Sequence, residues 1–190
     1  MILNSHDIKD EISKGLIAFA PALDGFQVQP NSIDLRVGWS FYIPETWEYT
    51  DAGRVAIRAD YLDIQKNKHY FKLIKLKPGQ YFEILPNEFI IISTLEKLSL
   101  NAPDVAAMLA PRSSVIRRGL SIQGGVVDAY FEGHMTIPVM NNSNHSIILY
   151  PGERFVQLVL HKLTAGLTKE EALMTITLNT PKILFEYSLN

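Results

Sequence analysis

The sequence contains no cysteine. A disulfide framework, a cysteine nucleophile and a thiolate zinc site are therefore excluded, together with the zinc-dependent nucleobase deaminases, whose metal needs cysteine ligands. The chain also has no apolar run near the roughly 20 residues that span a bilayer. Residues 1–10 are too polar and too mixed in charge for a signal peptide. These absences predict a cytoplasmic protein without membrane contact.

An excess of one charge is also missing, because 18 Lys and Arg residues face 20 Asp and Glu residues, a net charge of −2. This balance argues against a polymeric nucleic acid as partner, since duplex binding depends on many phosphate contacts by basic residues. The 190 residues are 47% hydrophobic and 20% charged, as in ordinary globular proteins. A chain of this length predicts one domain that folds around its own core.

Short runs of aromatic and β-branched residues dominate the chain, separated by turn residues such as Pro78-Gly79 and Pro151-Gly152. We predict strands at Phe41–Ile43, Tyr70–Leu76, Tyr81–Leu85, Phe89–Ile92, Val105–Leu109, His134–Met140, Ser146–Leu149 and Phe155–Leu160. This pattern favours a mainly β fold, either an antiparallel sandwich, a jelly roll or a distorted barrel. The polar segment Asp51–Lys68 is predicted to be an irregular surface insertion.

Helical signals are few. Ser5 is a candidate cap for a helix with an apolar stripe that ends at Gly15. A single turn is predicted around Arg112–Arg118. A third short helix is predicted over Thr168–Met174, where Thr168 and Glu171 have capping-box spacing.

The start of the predicted turn at Arg112–Arg118 combines hydroxyl and guanidinium groups. Ser113 and Ser114 follow Arg112, and three of the seven arginines of the chain lie within residues 111–119. Helix N-termini present unpaired N–H groups and partial positive charge, which suit phosphate. The cluster therefore predicts a polyphosphate site. A capped surface turn with solvated arginines is the alternative.

Further along the chain, Gly124 and Gly125 precede Asp128 at a predicted strand end. Paired glycines allow a close backbone approach, and a carboxylate in such a place can act as a base toward water. An Asp that hydrogen-bonds the following turn is the alternative, and Phe131 would ordinarily belong to the core. Gln157 is a lone amide in a predicted strand, so it needs a backbone or ligand partner.

The sequence lacks the residue spacings of the common metal-binding and glycine-rich nucleotide-binding motifs. The five histidines show no metal-ligand pattern, and neither of the two common glycine-rich nucleotide motifs occurs. Five lysines between Lys66 and Lys77 predict the solvated face of a guarded edge strand, with nucleic-acid binding as the alternative.

Three segments together resemble the central motifs of the dCTP deaminase and trimeric dUTPase superfamily, in order and spacing: residues 111–114 (PRSS), 125–133 (GVVDAYFEG) and 151–157 (PGERFVQ). Residues 30–38 are similar to its first motif, and residues 94–100 to the segment before the arginine-serine motif. The N-terminal arm, residues 1–38 with its short helix, is most similar to the dCTP deaminase branch and to archaeal dUTPases.

The resemblance implies a single dUTPase-like domain over residues 1–190, with residues 163–190 as a C-terminal extension. The implied fold is a distorted antiparallel β-barrel or jelly roll with a few short helices. It also implies a homotrimer with active sites at the subunit interfaces. The implied substrate is a pyrimidine deoxynucleoside triphosphate bound with Mg²⁺.

Site roles follow from the same resemblance, position by position. Asp128 would activate the attacking water, and Asp34 would lie near the water shell of the metal. Phe131 would pack under the deoxyribose. The remaining positions would bind the phosphates (Arg112, Ser113, Ser114, Arg117 and Gln157) or read the base through backbone groups (Gly124, Gly125, Val126 and Val127).

One position separates the two branches of the superfamily. Its deaminases carry a glutamate in the strand after the Asp128 motif, where it moves a proton at the pyrimidine, and here Pro138 stands in that place. Proline has no ionisable group, so we predict hydrolysis of dUTP to dUMP and pyrophosphate. The alternatives are a dCTP deaminase or bifunctional enzyme in which another residue replaces the glutamate, and a catalytically silent trimer that binds nucleotide.

The C-terminus departs from the dUTPase pattern. Those enzymes usually end in a glycine- and serine-rich tail that closes over the triphosphate, whereas Thr180–Asn190 is apolar and has no glycine. We predict a docked strand there rather than a lid. The choice among dUTP, dCTP and dTTP stays open, because a base that is read by backbone groups leaves little record in the side chains.

Overall fold

A computed structural model describes residues 1–62, 64 and 66–172. The predicted strand at Thr180–Asn190 and the last two residues of the predicted helix Thr168–Met174 lie outside the described residues. Within them, residues 169–172 are helical, and Thr168 and Glu171 form the capping hydrogen bonds that their spacing predicts.

Strands make up most of the described chain. They are β1 (Ile17–Ala20), β2 (Val28–Gln29), β3 (Ser32–Pro44), β4 (Trp47–Thr50), β5 (Gly53–Ala56), β6 (Phe71–Lys75), β7 (Phe82–Ile84), β8 (Phe89–Leu100), β9 (Val105–Pro111), β10 (Leu120–Ile122), β11 (Val126–Val127), β12 (Glu132–Asn141), β13 (Ile147–Leu149) and β14 (Arg154–Lys162). The helices are α1 (Ser5–Ser13) and α2 (Ser113–Ile116), and single 3₁₀ turns cover Ala59–Tyr61 and Lys68–Tyr70.

One antiparallel sheet organises the fold, with the strand order β10-β12-β8-β3-β14-β9-β11. β1 adds to β8, while β2 and β6 add to β3. The 13 residues of β3 pair with β14 over the first half and with β8 and β6 over the second half, so the sheet curls around this strand. The mainly β, antiparallel fold with few short helices is therefore confirmed.

The curl depends on a close crossing of β3 and β8 at Gly38. A Cβ atom at this position would lie 2.6 Å from the carbonyl oxygen of Ser93 and 2.7 Å from that of Thr94. Backbone atoms cannot yield to such a contact, so only glycine fits at this crossing.

The core lies between the curled sheet and the small β7–β13 sheet. Phe41 of β3 stacks on Phe82 of β7 with ring centroids 4.4 Å apart, and Ile84 and Leu149 of the small sheet are fully buried. From Ile92 to Leu100 of β8, alternate residues are buried, as expected for a strand with one face on the core. Complete burial of one such aliphatic side chain contributes about 1.5–3 kcal/mol.

The structure corrects two predictions about local structure. The cap of α1 is Asn4 rather than Ser5, because the Asn4 side chain accepts from the N–H groups of His6 and Asp7, and Asp7 accepts in return from the Asn4 N–H. The stop at Gly15 is confirmed by its φ of +72°.

The second correction concerns the segment Asp51–Lys68, which is not wholly irregular. Part of it closes the β4–β5 hairpin, in which the Arg54 guanidinium lies 3.7 Å from the centre of the Trp47 ring. That cross-strand contact holds a two-stranded sheet that local polarity did not indicate. No helix of the described residues is long and apolar enough to cross a membrane.

Candidate active site

Three neighbouring strands bring the predicted phosphate ligands to one end of the sheet. β14 lies between β3 and β9, so Gln157 is paired with Asp34 on one side and with Ala110 on the other. Arg112 follows β9 directly and α2 begins at Ser113. Residues that are far apart in the sequence therefore meet around Arg112.

Asp34 is the buried centre of this cluster. Its Oδ2 atom lies 3.1 Å from Nε of Arg112 and 3.4 Å from Nη1 of Arg154, and its side chain has no exposed surface. Burial raises the pKa of Asp34 above its ordinary value, although the guanidinium groups of Arg112 and Arg154 act in the opposite direction. The Oδ1 atom is buried with no hydrogen-bond partner among the described residues. Asp34 therefore positions Arg112 and does not face solvent.

Arg112, Ser113, Ser114 and Arg117 form what we call the phosphate turn. The Arg112 Nη1 atom donates to the Arg154 carbonyl at 3.1 Å, and its carbonyl oxygen accepts from the N–H groups of Val115 and Ile116. Ser113, Ser114 and Arg117 are exposed, and no side chain in the described part of the chain caps the start of α2. The hydroxyl groups and the guanidinium of Arg117 are thus open to an anionic ligand.

Gln157 extends the same surface. Its side chain is half-buried, and Nε2 donates to Oγ of Ser32 at 3.1 Å. The predicted need for a partner is therefore met within the chain. Gln157 is paired with Ala110, two residues before the phosphate turn begins.

The hairpin around Gly124 and Gly125 lies directly against β9. A Cβ atom on Gly124 would be 2.0 Å from the Leu109 carbonyl oxygen, whereas one on Gly125 would meet nothing within 4 Å. The Gly125 carbonyl accepts from the Leu109 N–H at 3.0 Å. Val126 is 67% exposed, while Val127 is buried. The hairpin therefore presents backbone and one apolar side chain to solvent.

Residues 128–131 form what we call the Asp128 turn. The Phe131 N–H donates to the Asp128 carbonyl at 3.2 Å, and the Phe131 carbonyl accepts from the Leu100 N–H at 2.8 Å. Asp128 is exposed and Phe131 is half-buried, with its ring 3.5 Å from the place that a Cβ atom on Gly133 would occupy. The turn thus fixes the backbone on each side of an open carboxylate.

The Asp128 turn and the phosphate turn do not meet within one chain. The β11–β9 register places Val127 opposite Ala107, and Arg112 lies five residues further along the chain, directly after β9. At about 3.3 Å per residue, that separation is about 17 Å. One chain therefore places the two turns, which we call the half-sites for the role predicted from the sequence, toward opposite ends of β9.

Pro138 lies in β12, opposite Ile91 of β8, and its carbonyl accepts from the Gln123 N–H at 3.0 Å. Neither paired residue is acidic. On the same face of β12 the next residues in each direction are Thr136 and Met140, which are not acidic either. The strand position that distinguishes the two branches thus has no carboxylate beside it among these described residues.

Sequence reasoning missed a second buried carboxylate, Glu96. It accepts from Nε of Arg36 at 2.6 Å, from the Arg36 N–H at 2.9 Å and from Nε2 of Gln27 at 2.8 Å, and its side chain is fully buried. The Gln27 carbonyl accepts from the Asp34 N–H at 2.8 Å, so this network supports Asp34. The signal was an acid at a buried position in the alternating pattern of β8.

Sequence reasoning also missed the role of Arg118, whose guanidinium binds groups of the chain itself. Nη1 lies 2.5 Å from Glu153 Oε1, and Nη2 donates to the Ile148 carbonyl. This side chain ties the end of α2 to the turn before β14. In the described residues, no group of three or more His, Asp or Glu could hold a metal ion.

Comparison with known proteins places this arrangement in a family. The family model for dCTP deaminase-like proteins matches residues 2–163. A protein from Sulfurihydrogenibium sp. (strain YO3AOP1) named "dCTP deaminase, dUMP-forming" is 40% identical over 166 residues, covering 86% of this chain and 84% of its own. A protein of the same name from Rhodococcus erythropolis is 36% identical over 168 residues, covering 87% of this chain and 83% of its own.

The fold agrees with a solved structure from Agrobacterium tumefaciens, a 2'-deoxycytidine 5'-triphosphate deaminase, at a TM-score of 0.66 and 22% identity. The match covers 94% of this chain, which spans about half (53%) of that longer chain. The family model and the sequence identities together show that this chain belongs to the dCTP deaminase-like family.

Proposed function

We propose that this protein hydrolyses dUTP to dUMP and pyrophosphate. Relatives bear the name "dCTP deaminase, dUMP-forming". Conversion of dCTP to dUMP needs two separate hydrolytic steps, because ammonia leaves the base and pyrophosphate leaves the α-phosphorus. This protein would catalyse the second step and not the first.

The observation that carries the proposal is Pro138. Removal of the amino group needs a residue that moves a proton at the pyrimidine, and proline cannot do so. Its cross-strand partners, Ile91 and Gln123, supply no replacement carboxylate. Loss of one general acid–base group typically costs about 10²–10⁴-fold in rate.

Asp128 supports the hydrolytic step. Its carboxylate is exposed at the edge of the hairpin, where it can take a proton from a water molecule. That water attacks the α-phosphorus, the bond from this phosphorus to the bridging oxygen breaks, and pyrophosphate leaves. The serine hydroxyls and the Arg117 guanidinium would stabilise charge on the phosphate oxygens.

The two half-sites require a second copy of the chain. We propose a homotrimer in which the Asp128 turn of one subunit faces the phosphate turn of its neighbour. The separation of about 17 Å within one chain supports this arrangement. Each seam between subunits would then hold one triphosphate.

Mg²⁺ would enter as part of the substrate complex. The described residues offer no cage of carboxylates or histidines, and triphosphate oxygens are preferred magnesium ligands. Asp34 is engaged by two guanidinium groups, so its role here is to position Arg112, and its contact with the water shell of Mg²⁺ stays a prediction.

The experiment is a substrate panel. Purified protein with Mg²⁺ is given dUTP, dCTP and dTTP in turn, and pyrophosphate and ammonia are both measured. We expect pyrophosphate from dUTP and no ammonia from dCTP. In parallel, Asp128→Asn should keep nucleotide binding and lose about 10²–10⁴-fold in turnover. Wild-type turnover in that variant would remove Asp128 from its role.

A second candidate function is deamination of dCTP followed by hydrolysis to dUMP. The names of the relatives favour it. It requires another group to replace the missing glutamate, and equal release of ammonia and pyrophosphate from dCTP would establish it. Tight dUTP binding without any pyrophosphate would instead indicate a silent nucleotide-binding protein.

A further inference from the structure

Tyr130 has an unusual backbone conformation beside the proposed catalytic residue. It is the third residue of the Asp128 turn and has a φ of +63°. Because Ala129, the second residue of the turn, does not have a positive φ, the turn is of type II. The third position of such a turn is normally occupied by glycine or asparagine. A bulky aromatic side chain is strained there and persists only where its surroundings hold it.

The Asp128 carboxylate depends on this turn for its position. Among the described residues, no donor forms a hydrogen bond with the side chain of Asp128. On its N-terminal side, Val127 is fixed by pairing with Ala107. On its C-terminal side, Asp128 is followed by the fully buried Ala129, and the turn is closed by the Phe131 N–H. Any change in the turn would therefore move the carboxylate.

The side chain of Tyr130 connects the turn to a distant part of the chain. Its hydroxyl donates to the Leu167 carbonyl at 3.3 Å, across 37 residues of sequence. Leu167 is itself fixed, because its N–H donates to the Pro103 carbonyl at 2.9 Å. The Leu163 N–H donates likewise to Asp104 at 2.7 Å. We call residues 163–168 the anchor segment.

We infer that Tyr130 is a positioning residue, which holds the Asp128 turn in its strained conformation by joining it to the anchor segment. The inference rests on the proposed hydrolysis of dUTP for its effect on turnover. Glycine would satisfy the backbone at position 130 at no steric cost but could not reach Leu167. The hydrogen bond from Tyr130 to Leu167 restricts the backbone of the Asp128 turn. The Asp128 carboxylate therefore keeps one orientation toward the attacking water.

The test compares Tyr130→Phe, which keeps the ring and the backbone strain, with Tyr130→Gly, which relieves the strain and removes the tether. Tyr49→Phe is the matched control, because Tyr49 is 85% exposed on the β4–β5 hairpin. We expect both variants at position 130 to lower kcat for dUTP by about 10-fold with KM within twofold, since misplacement of a reacting group acts on the transition state. The control should match the wild type.

Amide hydrogen exchange gives a readout that is independent of turnover. The Phe131 and Leu167 amides should exchange faster in Tyr130→Phe and Tyr130→Gly than in the wild type. The midpoint of thermal unfolding of Tyr130→Gly should stay near that of the wild type although its kcat falls, because glycine relieves the backbone strain. If wild-type protein hydrolyses no dUTP, the proposed function fails, and the exchange rates alone decide the role of Tyr130. Unchanged exchange at both amides, or a kcat within twofold of the wild type in an active enzyme, overturns the inference.

Discussion

The Nε atom of Arg112 lies 3.1 Å from the buried carboxylate of Asp34. This contact joins β3 to the start of the phosphate turn, two segments separated by 78 positions in the sequence. A guanidinium group presents more than one edge, and the edge that carries Nε is taken by Asp34. The first residue of the phosphate turn, Arg112, therefore forms an ion pair with a carboxylate that solvent does not reach.

The Asp34 contact predicts a pH dependence of stability. Burial raises the pKa of Asp34 above its ordinary value of 3.8, so the native state binds this proton more tightly than the unfolded state. The resulting stability is present below the unfolded-state pKa and is lost as pH rises through the native pKa. We expect the free energy of unfolding of the wild type, relative to Asp34→Asn, to fall as pH rises from about 4 toward neutrality.

Urea denaturation of both proteins at a series of pH values measures this difference, because groups other than Asp34 cancel. A difference that rises with pH would show that the two guanidinium groups outweigh burial. Asp10→Asn, which removes the carboxylate of the exposed Lys14–Asp10 pair, is the control for loss of a surface charge.

The adjacent glycines of the hairpin predict opposite responses to alanine. A Cβ atom on Gly124 would lie 2.0 Å from the Leu109 carbonyl oxygen, so Gly124→Ala must push the hairpin away from β9. We expect a loss of about 1–3 kcal/mol in the free energy of unfolding and weaker nucleotide binding. Gly125→Ala is the matched control, since a Cβ atom at this position would have no described atom within 4 Å. Its free energy of unfolding should stay within about 0.5 kcal/mol of the wild type.

Chemical denaturation and nucleotide titration of the two variants measure these effects. Equal stability of both variants would mean that the hairpin moves freely from β9, and its close approach would then not be required for folding. Loss of binding in Gly125→Ala with unchanged stability would instead indicate that the ligand approaches this backbone closely.

Local patterns were sufficient to predict most elements. The turn residues before β14 and the short helix after Pro111 depend on neighbours in sequence, so the sequence alone indicates them. Of β8, only the strand start at Phe89–Ile92 was predicted, and the strand continues to Leu100. The convergence of Asp34 and Gln157 could not be predicted in this way. It depends on which strands are adjacent, and strand order is decided by packing of the whole sheet.

The same limit applies to the two half-sites. The sequence places Ser113 and Asp128 only 15 positions apart, which suggests proximity. The antiparallel pairing of β11 with β9 sends Asp128 back toward the start of β9 and away from the serine. Burial of Glu96 was likewise hidden, because its partners Arg36 and Gln27 come from other parts of the chain.

Pro138 predicts a gain of activity on substitution. Replacement by glutamate would restore a carboxylate where the resemblance places the proton-moving residue of the deaminases. We expect Pro138→Glu to release ammonia from dCTP at a rate about 10²-fold or more above that of the wild type. Pro138→Ala is the control, because it restores the backbone N–H toward Gln123 without an ionisable group, and it should release none.

Ammonia and pyrophosphate are measured together for these variants. Ammonia release by the wild type at the rate of Pro138→Glu would show that deamination in this chain does not use position 138. Circular dichroism is recorded for each variant, since a change at a central strand alters the ladder between β10 and β12.

Separation of the half-sites predicts complementation between inactive subunits. Asp128→Asn removes the base from one half-site, and the double variant Ser113→Ala/Ser114→Ala removes the hydroxyls from the other. If each site takes one half from each of two neighbouring subunits, about one quarter of the sites in randomly mixed oligomers combine two intact halves. We expect an equimolar mixture, unfolded and refolded together, to regain about a quarter of wild-type dUTP hydrolysis. Each variant refolded alone is the control and should remain inactive. An inactive mixture that contains mixed oligomers by mass spectrometry would show that Asp128 and the phosphate turn do not act in one site.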